Sequence, residues 1–296
     1  SPTPAVTKAY GVLTSSGAMY FVQSADTVKD GKEGSIQSIS GETYSGTVFT
    51  GFDSLSYTAS KGDNNPTPSW HTDANNYAYA KRVKSIEIVD GFAPNSMHHF
   101  FCMMTNLQTI SGLEKIDTSK CKSLSYAFYG CSKLKSNLDL SSWDTSSVAN
   151  VVRVFNSCKK VPAIDTSSWD LSNCSSLYGM FVSCESLTEL DLSNYNTESV
   201  TSTESMFEGC RKLASLNLAG WNLKSLTNDS RMFSGASSLS QVTLSANYKI
   251  INNSFVVGRK MVWNNKTTNT RYTNAQLTAS FRDGQGESGT YVLVKE

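Results

Sequence analysis

The sequence predicts an α/β repeat fold: a right-handed solenoid in which each turn is one strand plus one short helix, with β-rich caps at both ends. Two observations predict it. The first is a block, clearest as Leu177-Tyr-Gly-Met-Phe-Val-Ser-Cys-Glu-Ser-Leu-Thr-Glu-Leu-Asp-Leu192, that recurs from near Met97 to near Leu244. Aligned on its phenylalanine, it falls at Phe101, Phe128, Phe155, Phe181, Phe207 and Phe233, at spacings of 27, 27, 26, 26 and 26 residues. A fixed period in this range marks supersecondary units that bury a core only by stacking on their neighbours. The second is a change of apolar spacing inside each copy, from two to three and four residues, as a strand gives way to a helix.

The strand comes first in each turn. Leu187-x-x-Leu190-x-Leu192, Leu213-x-x-Leu216-x-Leu218 and Leu239-x-x-Val242-x-Leu244 follow the L-x-x-L-x-L pattern of a leucine-rich repeat. Val83-x-x-Ile86-x-Ile88 is the earliest copy, and Leu134 with Leu138 and Leu140 carries one inserted residue. Val161-x-x-Ile164 places Thr166 in the third slot, and Leu107-x-x-Ile110 is broken by Gly112, giving about seven strand turns. Alternate strand residues point to opposite sides. Leu190 and Leu192 therefore face the core, and Glu189 and Asp191 face outward. Three residues on, Trp143, Trp169, Tyr195 and Trp221 are placed to pin the corner, and Cys121, Val148, Cys174, Val200 and Leu226 form a further apolar column.

Relative to the phenylalanine, the next apolar positions are −4, −1, 0 and +3, as in Val151, Val154, Phe155 and Cys158. That set is one face of a short helix. Ser146, Ser147, Asn228 and Asp229 stand where N-caps belong, and Gly130, Gly209 and Gly235 where left-handed C-caps belong. Lys133, Lys159, Lys160, Arg211 and Lys212 sit where a helix dipole favours cations. Helices this short are marginal alone, so stacking is obligatory.

The flanks read as caps, which a solenoid needs because a bare end strand invites further pairing. Residues 1–82 form a β-rich N-terminal module, 83–248 the solenoid and 249–296 a β-rich C-terminal cap. In the first, a lead-in to about residue 8 precedes a hairpin of Tyr10–Leu13 with Met19–Val22 about Ser15–Gly17. The polar, Gly-rich stretch 30–46 follows, then strands at Thr47–Phe52 and Leu55–Tyr57 and a long loop over 61–76. In the last, the pattern suggests a hairpin about Gly258, a turn into Arg271–Thr273, a helical turn or strand at Gln276–Phe281 and a final strand at Thr290–Val294.

Composition narrows the function classes. Charged residues are only 17%, and 26 Lys+Arg against 25 Asp+Glu leave a net charge of +1. That balance speaks against a nucleic-acid partner or a polybasic membrane contact and leaves room only for a local patch. No apolar run approaches the ~18 residues of a membrane span, so no membrane insertion is expected. Ser1-Pro-Thr-Pro has neither a basic nor an apolar leader region, so any secretory signal is expected to be absent from this chain.

The seven cysteines are an odd number, unsuited to a closed disulfide framework. Cys131, Cys158, Cys184 and Cys210 form the +3 column and read as core, and the absence of a C-x-x-C pair argues against zinc. His98 and His99 are adjacent and so face different ways, which argues against a shared metal. Nucleophile elbow, P-loop, dinucleotide fingerprint and H-E-x-x-H are all missing. No catalytic, cofactor-binding or metal residue is therefore expected. The candidate ligand face is the outward strand column Asp139, Asp165, Asp191 and Asn217, with Glu189 beside it. Like charges about 5 Å apart repel by roughly 1 kcal/mol in water. Such a column needs donors: serine and threonine hydroxyls, a cation or a basic partner.

Met180-Phe-Val-Ser-Cys-Glu-Ser-Leu-Thr-Glu-Leu-Asp-Leu-Ser193 and Trp143-Asp-Thr-Ser-Ser-Val148 resemble the repeat of BspA-type leucine-rich-repeat surface proteins of bacteria. Pro68-Ser-Trp70, Trp263, Tyr272-Thr273, Leu277 and Gly289-Thr-Tyr-Val292 resemble its flanks, so the likeness covers about 68–296. Met104 in the first turn and Ala236 in the last depart from its cysteine. The resemblance implies a non-enzymatic secreted or cell-surface protein that adheres to an extracellular host protein or glycan, and a monomer is expected. The competing expectation is a passive spacer that projects other domains from the cell wall.

Overall fold

The computed structural model describes residues 6–71, 77–252 and 261–294, with the backbone alone at 62 and 63. Strands β1 (Lys8–Leu13) and β2 (Ala18–Ser24) form the expected hairpin, with Leu13 opposite Met19. β3 (Lys32–Gln37) and β4 (Thr43–Thr50) extend it on the β1 side, antiparallel throughout. The sequence gives little sign of β3 because Ile36 is its only buried residue. Leu55–Tyr57 is not a strand. It follows a single 3₁₀ turn, Phe52–Ser54, whose Phe52 packs among Phe21, Trp70, Phe92 and Phe100.

A short helix α1 (Ala78–Arg82) leads into β5 (Ser85–Ile88), which pairs parallel with β2 on one side and β6 (Thr109–Ser111) on the other. The solenoid continues through β7 (Leu138–Asp139), β8 (Ile164–Asp165), β9 (Glu189–Asp191), β10 (Ser215–Leu218) and β11 (Gln241–Leu244). β7 pairs parallel with β8, and β9, β10 and β11 form a second parallel run. Seven strands thus bracket six turns of about 26 residues, one phenylalanine to each.

The far end is covered by β12 (Val262–Asn265), β13 (Arg271–Thr273), α2 (Asn274–Arg282) and β14 (Gly289–Val294). β14 runs antiparallel to β11 and closes the last turn. The Gln276–Phe281 stretch is helical because Thr273 and Gln276 form a reciprocal capping box at its start. The hairpin expected about Gly258 and residues 72–76 of the long loop lie outside the described residues.

The expected helix in each turn is not there, and α1 and α2 are the only α-helices among the described residues. Around Phe128, the N–H groups of Leu124, Tyr126, Phe128 and Gly130 leave their own turn. They donate to the carbonyls of Asn150, Val152, Val154 and Asn156 in the next, at 2.9, 3.0, 2.9 and 2.9 Å. The intervening Ala127, Tyr129 and Cys131 donate to carbonyls three residues back. An α-helix would keep these donors inside one segment, four residues apart. Here every second one runs along the solenoid axis, and the segment is a series of overlapping β-turns.

Two left-handed residues per turn make this path possible. One column lies two before the phenylalanine (His99, Tyr126, Arg153, Gly179, Ser205, Arg231) and the other two after it (Met103, Gly130, Ser157, Ser183, Gly209, Gly235), all at positive φ. The glycines expected to end helices are left-handed, but in mid-ladder. Overlapping turns still bring positions −4, −1, 0 and +3 to one side, which is why the apolar spacing imitates a helix. Nor do the expected N-caps cap one. Ser146 donates to Asp144 from both backbone and hydroxyl, and Asp229 accepts from the backbone of Ile251 and Asn252.

The six phenylalanine rings stack as a ladder, with successive centroids 5.1, 5.8, 5.4, 5.8 and 5.6 Å apart. All are buried, each contributing roughly 1.5–3 kcal/mol of burial. Beside the ladder, each +3 thiol donates to the phenylalanine carbonyl of the preceding turn: Cys131 to Phe101 at 3.1 Å, Cys158 to Phe128 at 3.2 Å, Cys184 to Phe155 at 3.2 Å and Cys210 to Phe181 at 3.0 Å. All seven cysteines are free and buried. The corner aromatics also reach one turn back. Trp143, Trp169 and Trp221 donate their indole N–H to the carbonyls of Leu113, Leu140 and Leu192 at 3.0, 3.2 and 2.9 Å. Tyr195 is the exception that explains Thr166: the two hydroxyls meet at 2.7 Å inside the core.

Three outcomes follow. Left-handed backbone costs a non-glycine residue about 1–2 kcal/mol, and glycine returns about 0.5–1 of that in entropy. Ser183→Gly should therefore stabilise by roughly 0.5–1 kcal/mol in urea unfolding, whereas Gly209→Ala, whose Cβ would stand 3.2 Å from the Ser183 hydroxyl, should destabilise. Thr166→Leu and Tyr195→Trp should each destabilise by leaving a buried hydroxyl unpaired, roughly 1–3 kcal/mol. The double variant rebuilds the leucine–tryptophan pair of the other turns, and simple additivity of the two losses would refute the pairing. Burial pushes the Cys102, Cys121, Cys174 and Cys210 thiols up to about 12. A maleimide at pH 8 should leave the native protein unlabelled and modify all seven cysteines once it is denatured.

Candidate functional site

The outward strand residues form two columns whose register follows from the parallel pairing. Glu189, Ser215 and Gln241 stand abreast, as do Asp191, Asn217 and Thr243. Ala163 and Asp165 occupy the corresponding positions one turn earlier, and together these residues line an open groove of about 560 Å3. Of the expected ligand face, Asp165, Glu189, Asp191 and Asn217 are thus brought together. Asp139 pairs with Asp165 in the strand register but does not line the groove. Ile164, Leu190, Ser167, Ser215, Gln241 and Thr243 complete the lining. The same period-two register that singled out the acids would have found the last three, but uncharged side chains gave no reason to look.

The donors that the acidic column needs come mainly from its own corners. Asp139 accepts from the Ser141 backbone at 3.1 Å and its hydroxyl at 2.6 Å, and Asp191 from Ser193 at 3.0 and 2.6 Å. Asp165 accepts from the Ser167 N–H at 2.9 Å, and Asn217 repeats the pattern with Ala219 at 3.2 Å. The Ser141 hydroxyl and N–H hold the Asp139 carboxyl below its ordinary range. At Asp191 burial pushes upward, but the Ser193 hydroxyl and N–H, with Asn217, outweigh it and the net shift is downward. Asp139 and Asp191 are therefore ionised acceptors at neutral pH, suited to receiving hydrogen bonds rather than passing protons. Among the described residues no group of three or more His, Cys, Asp or Glu is disposed to hold a metal ion.

Of the histidine pair, His98 is buried and His99 half-buried. His98 is buried with its Nδ1 2.7 Å from the Ser125 hydroxyl, and burial followed by the neighbouring His99 pushes its imidazole down to about 3. An unfolded histidine takes its proton near pH 6.5. Between these values the unfolded chain holds the extra proton, so the His98 contribution to stability is complete above about pH 6.5 and is lost as pH falls towards 3. Thermal melts should show the decline starting above pH 5, before the depressed carboxyls contribute. His98→Gln should flatten that part of the profile, and an unchanged slope would contradict the buried neutral state.

The cations after the cysteine column are the group that the sequence placed at helix ends. Without a helix there is no dipole for them to meet. Lys133, Lys159, Lys160, Arg211 and Lys212 line a second groove of about 470 Å3, with Glu185 among them.

Parallel strands, axial turn ladders and capped ends define the chain as a repeat solenoid, mostly β. Residues 95–211 and 153–274 match the family described as Mycoplasma protein of unknown function, DUF285. The matches span well over half of the chain, which belongs to that family, and they overlap as a repeat array allows. No curated protein matches the sequence. No helix among the described residues is long and apolar enough to cross a membrane.

Proposed function

We propose that this chain is a non-enzymatic binding module of a bacterial surface or secreted protein, and that it holds a basic segment of an extracellular host protein in the strand-face groove. One observation carries the reading. The inward columns repeat from turn to turn, whereas the outward ones change: Ala163, Glu189, Ser215, Gln241 in one and Asp165, Asp191, Asn217, Thr243 in the other. A spacer has no need of that variation, and a recognition surface consists of it. Open carboxylates, amides and hydroxyls on one face suit lysine and arginine side chains, with the polar Ser and Thr positions fixing register. The likeness of the repeat to BspA-type proteins supports the surface setting.

The test is a binding screen against immobilised extracellular-matrix proteins and uncharged glycans, repeated with Asp165→Asn, Glu189→Gln and Asp191→Asn combined. Asparagine keeps the turn acceptor, as Asn217 does with Ala219, so the fold is retained. A matrix protein should bind, and the triple variant should bind it at least ten-fold more weakly, roughly 1.4 kcal/mol or more. A glycan bound in its place, with the same loss, would keep the groove and change the ligand. Binding to nothing, or equal binding by the variant, would favour the spacer.

A further inference from the structure

We infer that the second groove binds an extended anionic polysaccharide, sulfated or carboxylated, laid along the solenoid axis. Its cations come from three of four consecutive turns in the stack. Lys133 belongs to the turn of Phe128, Lys159 and Lys160 to that of Phe155, and Arg211 and Lys212 to that of Phe207. The intervening turn of Phe181 supplies Glu185, so five cations face one carboxylate in a chain whose whole net charge is +1. Stacked strands stand about 5 Å apart, so the cations spread over roughly 15 Å, the reach of a short run of sugar residues.

The pairing inside the groove leaves part of that charge uncommitted. Lys159 meets Glu185 at 3.4 Å, and Lys133 donates to the Asn106 side chain at 2.8 Å. Lys160, Arg211 and Lys212 are exposed and have no side-chain hydrogen bond or ion pair among the described residues. By contrast, Lys224 and Arg231 on neighbouring turns are matched by Glu198, Glu204 and Glu208. With no helix to complement, the double cations Lys159-Lys160 and Arg211-Lys212 have no local structural partner that repeats. A cleft lined mainly by one sign of charge concentrates counter-ions of the other.

The chemistry of the lining selects the polymer. The two remaining lining residues are serines, so the groove offers charge and hydroxyl groups but no aromatic ring. Single-stranded nucleic acid is held by stacking bases on aromatic side chains as well as by charge, and nothing here supplies that. A sulfated or uronate-rich glycan presents charges and hydroxyls without flat bases, and the groove matches both.

The test uses the whole chain and a heparin-derived dodecasaccharide as probe, with single-stranded DNA and phosphatidylserine vesicles as parallel arms. The oligosaccharide should bind at 50 mM salt and weaken steeply by about 200 mM, as counter-ion release requires. Lys160→Gln, Arg211→Gln and Lys212→Gln combined should weaken it at least ten-fold and lower the salt slope by about one per cation removed. Lys8→Gln, Lys29→Gln and Lys32→Gln combined, in the N-terminal module, should change little. The strand-face triple variant should bind the oligosaccharide as the parent does, so this groove and the strand face succeed or fail separately. The inference is overturned if the oligosaccharide does not bind at 50 mM salt, or if the groove variant binds like the parent. It is equally overturned if DNA or vesicles bind more tightly than the oligosaccharide.

Discussion

Every second N–H in the segment about each of the first five phenylalanines leaves its own turn and bonds to the next, and the remaining architecture depends on that. Such donors cannot also close a helix, so the segment lies flat across the stack and joins its neighbours by hydrogen bonds along the axis, as the parallel strands do. With both long sides of a turn bonded along the axis, the repeat distance is fixed at the strand spacing. The phenylalanine rings then stack at 5.1–5.8 Å whether or not that separation is ideal for them. The remaining polar needs of the core are met in the same direction. Thiols donate to phenylalanine carbonyls and indoles to leucine carbonyls one turn back, and threonine hydroxyls to the turn ahead, as Thr145 does to Asp170. Much of what stabilises the solenoid is therefore contact between turns.

This arrangement divides the chain into residues that must repeat and residues that need not. A column facing the core meets its own copy above and below, so a change in one turn has to be answered in the next. Thr166 and Tyr195 show such an answer, the one place where a hydroxyl pair replaces a leucine and a tryptophan. Columns facing water meet no such demand. Their variation on the strand face, and the clustering of cations after the cysteine column, are the parts of the sequence that packing leaves unexplained. The proposed functions rest on them.

Much of this was legible in the residues. The period came from the phenylalanines, the strands from the leucines, the hairpin of the N-terminal cap from alternation about Ser15–Gly17, and the buried state of the cysteines from their place in a column. Four of the five residues named for a ligand face do share one groove. The sequence suggests a helix that is absent, because apolar spacing reports which side chains point inward, not where the N–H groups go. Overlapping β-turns and a helical turn place the same positions inward. Left-handed residues distinguish the two, and at this ladder they are tyrosine, arginine, histidine, serine and methionine twice as often as glycine. Composition gave no hint of them.

By itself the sequence determined the repeat, its length, the inward and outward columns and the need for caps at both ends, because these follow from periodicity and the cost of leaving apolar faces bare. Only the tertiary structure decided how each turn is closed, since hydrogen bonds between turns outbid those within one when a neighbour stands in register at the right distance. That choice also removed the helix dipole and left Lys160, Arg211 and Lys212 without a local role. Neighbouring turns decide it, and no single copy of the repeat contains that information.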